Sequence, residues 1–333
     1  MPQVVVGLDM HLKRTHGTVM MIDGKIVRQE IFNTGREDLK EFLKNVPKHT
    51  KVALESLGFC WPWVEFIEEL GYTPLLANPI KVKQRAEDVK TDKVDSELLA
   101  HLTRMDWLPT CYVPEKEMRW LRNLLRHRAF RRKVSTALKN RSWSELRKHG
   151  IELDASFGTI KGKRKADSHG IYEVSQNIEI LEVIESQMKQ IESELVKRYG
   201  DVKAVRLLQS IPGIGFLTAL TIYAEICDIR RFSSPEKLAH YAGLVPRVKQ
   251  SAEHTRMGRE TRANRWLKWA LIEATWSHVN WCPEGRLAKT FENAYRRKRD
   301  KKKAIKIVAR KLVNVVWAVW THGKEFTMIP DKA

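Results

Sequence analysis

Apolar positions come first in short blocks and later in long periodic stripes. Residues 4–9 (VVVGLD) are a short apolar run ending in an acid, the pattern of a buried strand. Residues 18–22 and 25–32 follow as two more strands, and Asp23-Gly24 between them is a strong hairpin signal. Residues 37–42 have helical spacing. Residues 52–55 are another short buried strand with an acid at its end, and 63–70 a helix with Gly71 as its C-cap. A fifth strand over 73–77, a helix over 80–87 and a helix from Asp92 to about Met105 complete this part. Strands with a hairpin followed by alternating helix and strand is the order of an RNase-H-like α/β sheet. In that order the first and fourth strands lie side by side.

The pattern then changes. Residues 116–148 carry a partial stripe (Trp120, Leu121, Leu124, Leu125, Val134, Leu138) among many Arg and Lys. Residues 158–169 (GTIKGKRKADSH) have no periodicity and read as a basic loop. Val174, Ile178, Leu181, Met188, Ile191 and Leu195 form a narrow helical stripe ending near Gly200, and a narrow stripe wants one partner helix. Two long helices around a basic loop predict a helical hairpin or coiled-coil arm. In 208–226, Ile211-Pro212-Gly213-Ile214-Gly215 between helical segments is a helix-hairpin-helix signature. There the N–H groups opening the second helix would hold a phosphate, although the same string also makes a plain helix–helix turn. Ser233 or Ser234 would cap a helix over 235–241; 247–265 is polar and basic, and 266–281 and 304–320 are helical. The expected division is an RNase-H-like (RuvC-like) domain over 1–112, a helical arm over 113–200 and a mainly α-helical domain over 201–333.

Charge narrows the partner. Sixty Lys and Arg against forty Asp and Glu leave a net charge of +20. That excess calls for a polyanion, most simply nucleic acid, with an acidic membrane surface as the competing reading. No apolar run approaches the ~20 residues of a membrane span, and the first residues lack the pattern of a signal peptide. Cys60, Cys111, Cys227 and Cys282 form no CxxC pair, which fits a reducing cytoplasm with neither a disulfide framework nor a zinc site.

Against this basic background four acids stand out. Asp9 and Glu55 end adjacent strands, and Asp92 and Asp95 share one helical face. Converging carboxylates repel unless cations fill the gap, and Mg²⁺ is the natural occupant for phosphodiester chemistry. The competing reading makes Asp92 an N-cap, Asp95 its capping-box partner, and Asp9 and Glu55 loop acids. A serine beside His and Arg would be a nucleophile on phosphorus, yet from the residues alone Ser251 does not stand out from Ser233, Ser234 or Thr255. The phosphate-tracking candidates are Gly213, Gly215, Arg247, Arg256, Arg259, and Arg296, Arg297, Lys298 and Arg299 of the run RRKRDKKK.

The segments GLDMH (7–11), ALES (53–56), ANP (77–79) and KTDKVDSELLA (90–100), then LLQSIPGIG (207–215), KLAHYAGLVPR (237–247), Ser251 and RMG (256–258), carry a resemblance over nearly the whole chain. It resembles the "one-ten" family of insertion-sequence transposases, DEDD-type recombinases guided by a bridge RNA. The resemblance implies a RuvC-like N-terminal domain whose four acids are Asp9, Glu55, Asp92 and Asp95, holding Mg²⁺. It also implies a serine nucleophile matching Ser251, with Thr255 the nearest substitute because the segment after Pro246 is slightly short. A covalent phosphoserine intermediate, a composite site across protomers and a Holliday-junction-like exchange of donor and target double-stranded DNA would follow. So would a structured noncoding guide RNA, a homo-oligomer (a dimer, with a tetramer at synapsis) built through the helical arm, and a cytoplasmic, nucleoid-associated location. The rival functions are a Mg²⁺-dependent Holliday-junction nuclease that uses water, and a non-enzymatic basic nucleic-acid-binding protein.

Overall fold

Five strands, β1 (Val4–Met10), β2 (Arg14–Met21), β3 (Ile26–Asn33), β4 (Lys51–Glu55) and β5 (Thr73–Ala77), form one mixed sheet in the order β3-β2-β1-β4-β5. β1 runs antiparallel to β2 and parallel to β4. This sheet is compatible with an RNase-H-like α/β domain. The computed structural model describes residues 4–83, 92–251, 254–260 and 263–327, with the backbone alone over 247–251 and 254–260. By its internal contacts the chain forms two units, Met1–Val113 and Pro114–Ala333.

In the first unit, alternation along β1 sends Val6 and Leu8 to one face, where they pack with Val52 and Leu54 of β4. Two helices, α1 (Arg36–Leu43) and α2 (Trp61–Glu69), cover that face through Leu39, Phe42, Val64 and Ile67. The short α3 (Pro79–Lys83) takes up the start of the helix expected over 80–87; the rest of that expectation, 84–91, lies outside the described residues. The other face carries Val5 of β1 and Ala53 of β4 and is covered by α4 (Asp92–Arg104) through Leu99, Ala100 and Leu102. β2 begins at Arg14, well before the apolar stretch that announced it, because its polar first residues pair with β1 out to Met10↔Thr15.

The second unit begins with α5 (Lys116–Lys148), α6 (Ile160–Asp167) and α7 (Tyr172–Tyr199). α5 and α7 pair antiparallel: Arg128 Nη2 meets Glu192 at 2.5 Å, Arg131 donates to Gln187, and Lys139 Nζ meets Glu185 at 3.0 Å. The basic stretch expected to be a loop contains α6. Its N-cap Thr159 accepts from the Gly162 amide at 3.0 Å, and Lys163, buried, reaches Glu185 at 3.0 Å. With few apolar residues of its own, α6 is held by Ala166 in a small core with Leu146, Phe157 and Val174, and by this ion pair.

The remaining helices are α8 (Lys203–Gln209), α9 (Phe216–Ile226), α10 (Pro235–Tyr241), α11 (Arg265–Trp281), α12 (Arg286–Lys298) and α13 (Lys301–His322). They share one core with Leu121 and Leu125 of α5 and Leu195 of α7. The polar stretch after Pro246 is a two-stranded antiparallel ribbon, β6 (Pro246–Ser251) and β7 (His254–Glu260), where the sequence pattern showed only a polar and basic stretch. Beyond the ribbon, Asn264 Oδ1 caps α11 by accepting from the Trp266 and Leu267 amides, both at 3.1 Å. The same amide side chain donates to Glu225 of α9 at 2.8 Å. Glu225 is buried and also accepts from Arg126 at 2.8 Å.

Candidate active site

The site is built on the α4 face of the sheet. Gly7 lies on that face, and α4 crosses it so closely that a Cβ there would fall 2.1 Å from the Ser96 carbonyl oxygen. Two residues further along β1, and therefore on the same face, Asp9 is buried at the strand's end. Asp92 is the first residue of α4. The first turn of α4 is tied down by a chain of polar contacts: Gln29 Nε2 donates to Thr18 Oγ1 (2.9 Å), Thr18 Oγ1 meets Ser96 Oγ (2.9 Å), and Ser96 Oγ reaches the Lys93 carbonyl (2.9 Å).

Two histidines join these acids. His11 Nε2 lies 3.2 Å from Asp9 Oδ2 and 3.7 Å from Asp92 Oδ1. His16, the β2 residue registered opposite Asp9, places Nε2 at 3.6 Å from Asp92 Oδ2. Among the described residues, Asp9, His11 and Asp92 form a group whose potential ligand atoms all lie within 4.8 Å of one another. Asp95 is close enough for its charge to act on Asp9. Burial pushes the Asp9 carboxyl above its ordinary range, neighbouring His11 pulls it back, and the charges of Asp92 and Asp95 push it up again, for a net upward shift. Glu55 ends β4 one step beyond the Leu8↔Leu54 pair, as Asp9 does on β1, so alternation puts both acids on the α4 face. Hard oxygen donors with an imidazole nitrogen, gathered around an acid whose charge is disfavoured, fit a divalent cation.

The histidines were not singled out from the sequence. The signal was present in Asp9-Met10-His11, since residues two apart along extended backbone share a face. His16 was hidden because its polar neighbours did not read as strand.

The other candidates lie in the second unit. Ser251 is the last residue of β6, paired with His254, the first of β7, and Thr255 pairs with Gln250. Arg247 lies on β6, and Arg256 and Arg259 on β7; these side chains, like that of Ser251, lie outside the described residues. Gly213 has φ +86°, and a Cβ there would come within 2.4 Å of the His278 amide nitrogen, so its need for glycine is explained by packing on α11. Gly215 is the exposed N-cap of α9. Arg296, Arg297 and Lys298 form the exposed last turn of α12; Arg299 ends it in a left-handed conformation, and Asp300 caps α13.

Residues 6–150 match a DEDD-type model of IS110 proteins described as "Transposase", and residues 205–291 match the model described as "Transposase IS116/IS110/IS902 family". The chain belongs to the IS110/IS116 family of transposases. It is 25% identical over 291 residues to the transposase for insertion sequence element IS1111A of Coxiella burnetii, covering 83% of this chain and 79% of that one. To the transposase for insertion sequence element IS1328 of Yersinia enterocolitica it is 23% identical over 337 residues, covering 98% of this chain and all of the other. The matched DEDD model spans Asp9, Glu55, Asp92 and Asp95, and with the acidic cluster it points to a divalent metal. Among the described residues no helix is long and apolar enough to cross a membrane.

Proposed function

We propose that this transposase is an RNA-guided DNA recombinase that cuts and rejoins donor and target DNA through a covalent serine–phosphate link, with Mg²⁺ held by Asp9, Glu55, Asp92 and Asp95. The observation that carries the reading is the meeting of Asp9 and Asp92 on one sheet face, in a chain of net charge +20. Asp95 acts electrostatically on the same carboxyl, and Glu55 ends the adjacent strand. Carboxylates so placed in a basic protein need a reason beyond charge balance, and sharing a cation supplies it.

A bound ion would supply Lewis-acid polarisation of the scissile phosphate. The protein's own groups do the rest. Asp9 and Asp92 would hold that ion, and with it the place of the phosphate, on a strand and a helix pinned together through Thr18 and Ser96. Ser251 attacks phosphorus: its oxygen forms the new bond, the bond to the sugar oxygen breaks, and the serine proton leaves with the displaced sugar hydroxyl. Rejoining reverses the step, and since one phosphodiester replaces another no outside energy is consumed. Arg247, Arg256 and Arg259 on the ribbon stabilise charge on the pentacovalent phosphorus. The Gly215 N-terminus of α9 and the basic residues 296–299 track DNA or RNA phosphates. The chain works as a homo-oligomer in the nucleoid, with a structured noncoding RNA pairing with both DNAs.

A suicide DNA substrate carrying an element end tests the reading. Wild-type protein is expected to form an adduct that survives denaturation and to carry a discrete co-purified RNA, whereas Ser251→Ala and Asp9→Ala give neither adduct nor cut. If Ser251→Ala still cuts while Asp9→Ala does not, the enzyme is a nuclease using water. If Asp92→Asn and Asp95→Asn leave cutting intact and cost only about 1 kcal/mol of stability, these acids are helix caps.

A further inference from the structure

We propose that His11 is itself a metal ligand, completing an Asp9–His11–Asp92 donor set that favours Mn²⁺ over Mg²⁺; the proposal rests on the metal reading above and assigns a further residue to that site. His11 Nε2 approaches oxygens that come from two different elements, Asp9 Oδ2 on β1 at 3.2 Å and Asp92 Oδ1 on α4 at 3.7 Å. A neutral imidazole nitrogen has either one proton to donate or one lone pair. Donation to Asp9 would account for the shorter distance and leave Asp92 Oδ1, at 3.7 Å, beyond hydrogen-bond reach of the same atom. A cation among the three atoms gives each of them a partner, and the separations of 3.2 and 3.7 Å from His11 Nε2 to the two oxygens suit ligand bonds of about 2.0–2.3 Å.

The surroundings hold the ring's attachment in place. The His11 amide donates to the Arg14 carbonyl at 3.0 Å, closing the β1–β2 turn. Thr34 Oγ1 donates to the His11 carbonyl at 2.7 Å and also meets Thr15 Oγ1 at 2.7 Å. His11 is thus pinned through its backbone while its side chain stays more than half exposed, open to an arriving ion. His16 approaches the other oxygen of Asp92, Oδ2 at 3.6 Å, which leaves Oδ1 turned to His11. His16 is therefore a positioning residue and His11 the ligand.

The consequence is a preference among metals. Mg²⁺ takes oxygen ligands and keeps much of its water, whereas an imidazole nitrogen adds affinity for first-row transition ions. The test uses the full chain, stripped of metal and titrated with Mn²⁺, followed by electron paramagnetic resonance and by the nitrogen modulation of the electron spin echo. Wild-type protein and His16→Gln are expected to show ¹⁴N coupling to bound Mn²⁺. His11→Gln is expected to bind Mn²⁺ without that coupling, with the dissociation constant raised about tenfold or more, and with a much smaller change in competition by Mg²⁺. Wild-type Mn²⁺ bound with no ¹⁴N coupling, or coupling that survives in His11→Gln and vanishes in His16→Gln, overturns the assignment and leaves the acids as the metal site. Mn²⁺ binding unchanged in Asp9→Asn overturns the metal reading itself. Because His16→Gln leaves the His11 ring in place, the wild-type and His16→Gln spectra together decide the question even if His11→Gln fails to fold.

Discussion

Gly7 and Ser96 are in backbone contact: a Cβ on Gly7 would lie 2.1 Å from the Ser96 carbonyl oxygen and 2.6 Å from the neighbouring Ala100 amide nitrogen. Both obstacles are main-chain atoms of α4, so no rotamer change relieves the clash. Gly7→Ala should therefore lift α4 from the sheet and carry Asp92 and Asp95 away from Asp9, although no acid is altered. The expected cost is about 3 kcal/mol, the upper end of overpacking, with loss of metal binding. Urea unfolding and Mn²⁺ titration of the same variant check both effects.

The hydroxyl pair Thr18–Ser96, buried and 2.9 Å apart, is the second tie between sheet and helix. Ser96→Ala removes it together with the bond to the Lys93 carbonyl, leaving Thr18 with its Gln29 partner. A loss of about 1 kcal/mol is expected, with DNA cleavage falling more than the stability change alone accounts for. Cleavage assays at a temperature where the variant remains fully folded separate the two.

Asp9 is expected to make the metal-free fold less stable. Its folded-state value lies above the ordinary 3.8, so the ionised form is disfavoured in the fold. The destabilisation is absent below the unfolded value and complete once pH has risen through the folded one. At neutral pH and in chelator, Asp9→Asn should melt higher than wild type; with Mg²⁺ the order should reverse, since only wild type gains from binding. Thermal melts with and without Mg²⁺ measure this.

Glu225 is 2% exposed and joins three elements, through Arg126 of α5 and through Asn264 at the cap of α11. Glu225→Ala leaves these donors without their acceptor, for an expected loss of about 3–5 kcal/mol. Because Asn264 closes the segment that follows the Ser251 ribbon, covalent capture of DNA should fall as well. Asn264→Ala should show the milder cost of a lost cap, about 1 kcal/mol. Chemical denaturation of the two variants orders them.

Glu185 predicts how the helix pair responds to acid. Burial pushes its carboxyl up, but hydrogen bonds from Lys139 and Lys163 outweigh that, and the net shift is below the ordinary 4.5. A depressed carboxylate contributes stability that is present above the unfolded value and lost as pH falls through the folded one. Acidification from about pH 6 to about pH 3 should loosen the α5–α6–α7 junction, and Glu185→Gln should flatten that dependence. Hydrogen exchange in α6 and α7 at each pH reports it.

The strands of the sheet, the two acids at strand ends and the long helices were legible in the sequence because each is written in local periodicity. VVVGLD and VALE are strands by their apolar runs, and the 174–195 stripe is a helix by its spacing. α6 and the β6–β7 ribbon were not, because both are polar; α6 is held by a buried lysine paired with Glu185 on α7, the ribbon by cross-strand backbone pairing. The same holds at the site. The chain itself determined which acids are available, and that Asp9 and His11 stand two residues apart. That His16 stands opposite Asp9, that α4 touches Gly7, and that Asp92 reaches the His11 nitrogen were decided by tertiary structure, because strand register and helix-on-sheet contact join residues far apart in the chain.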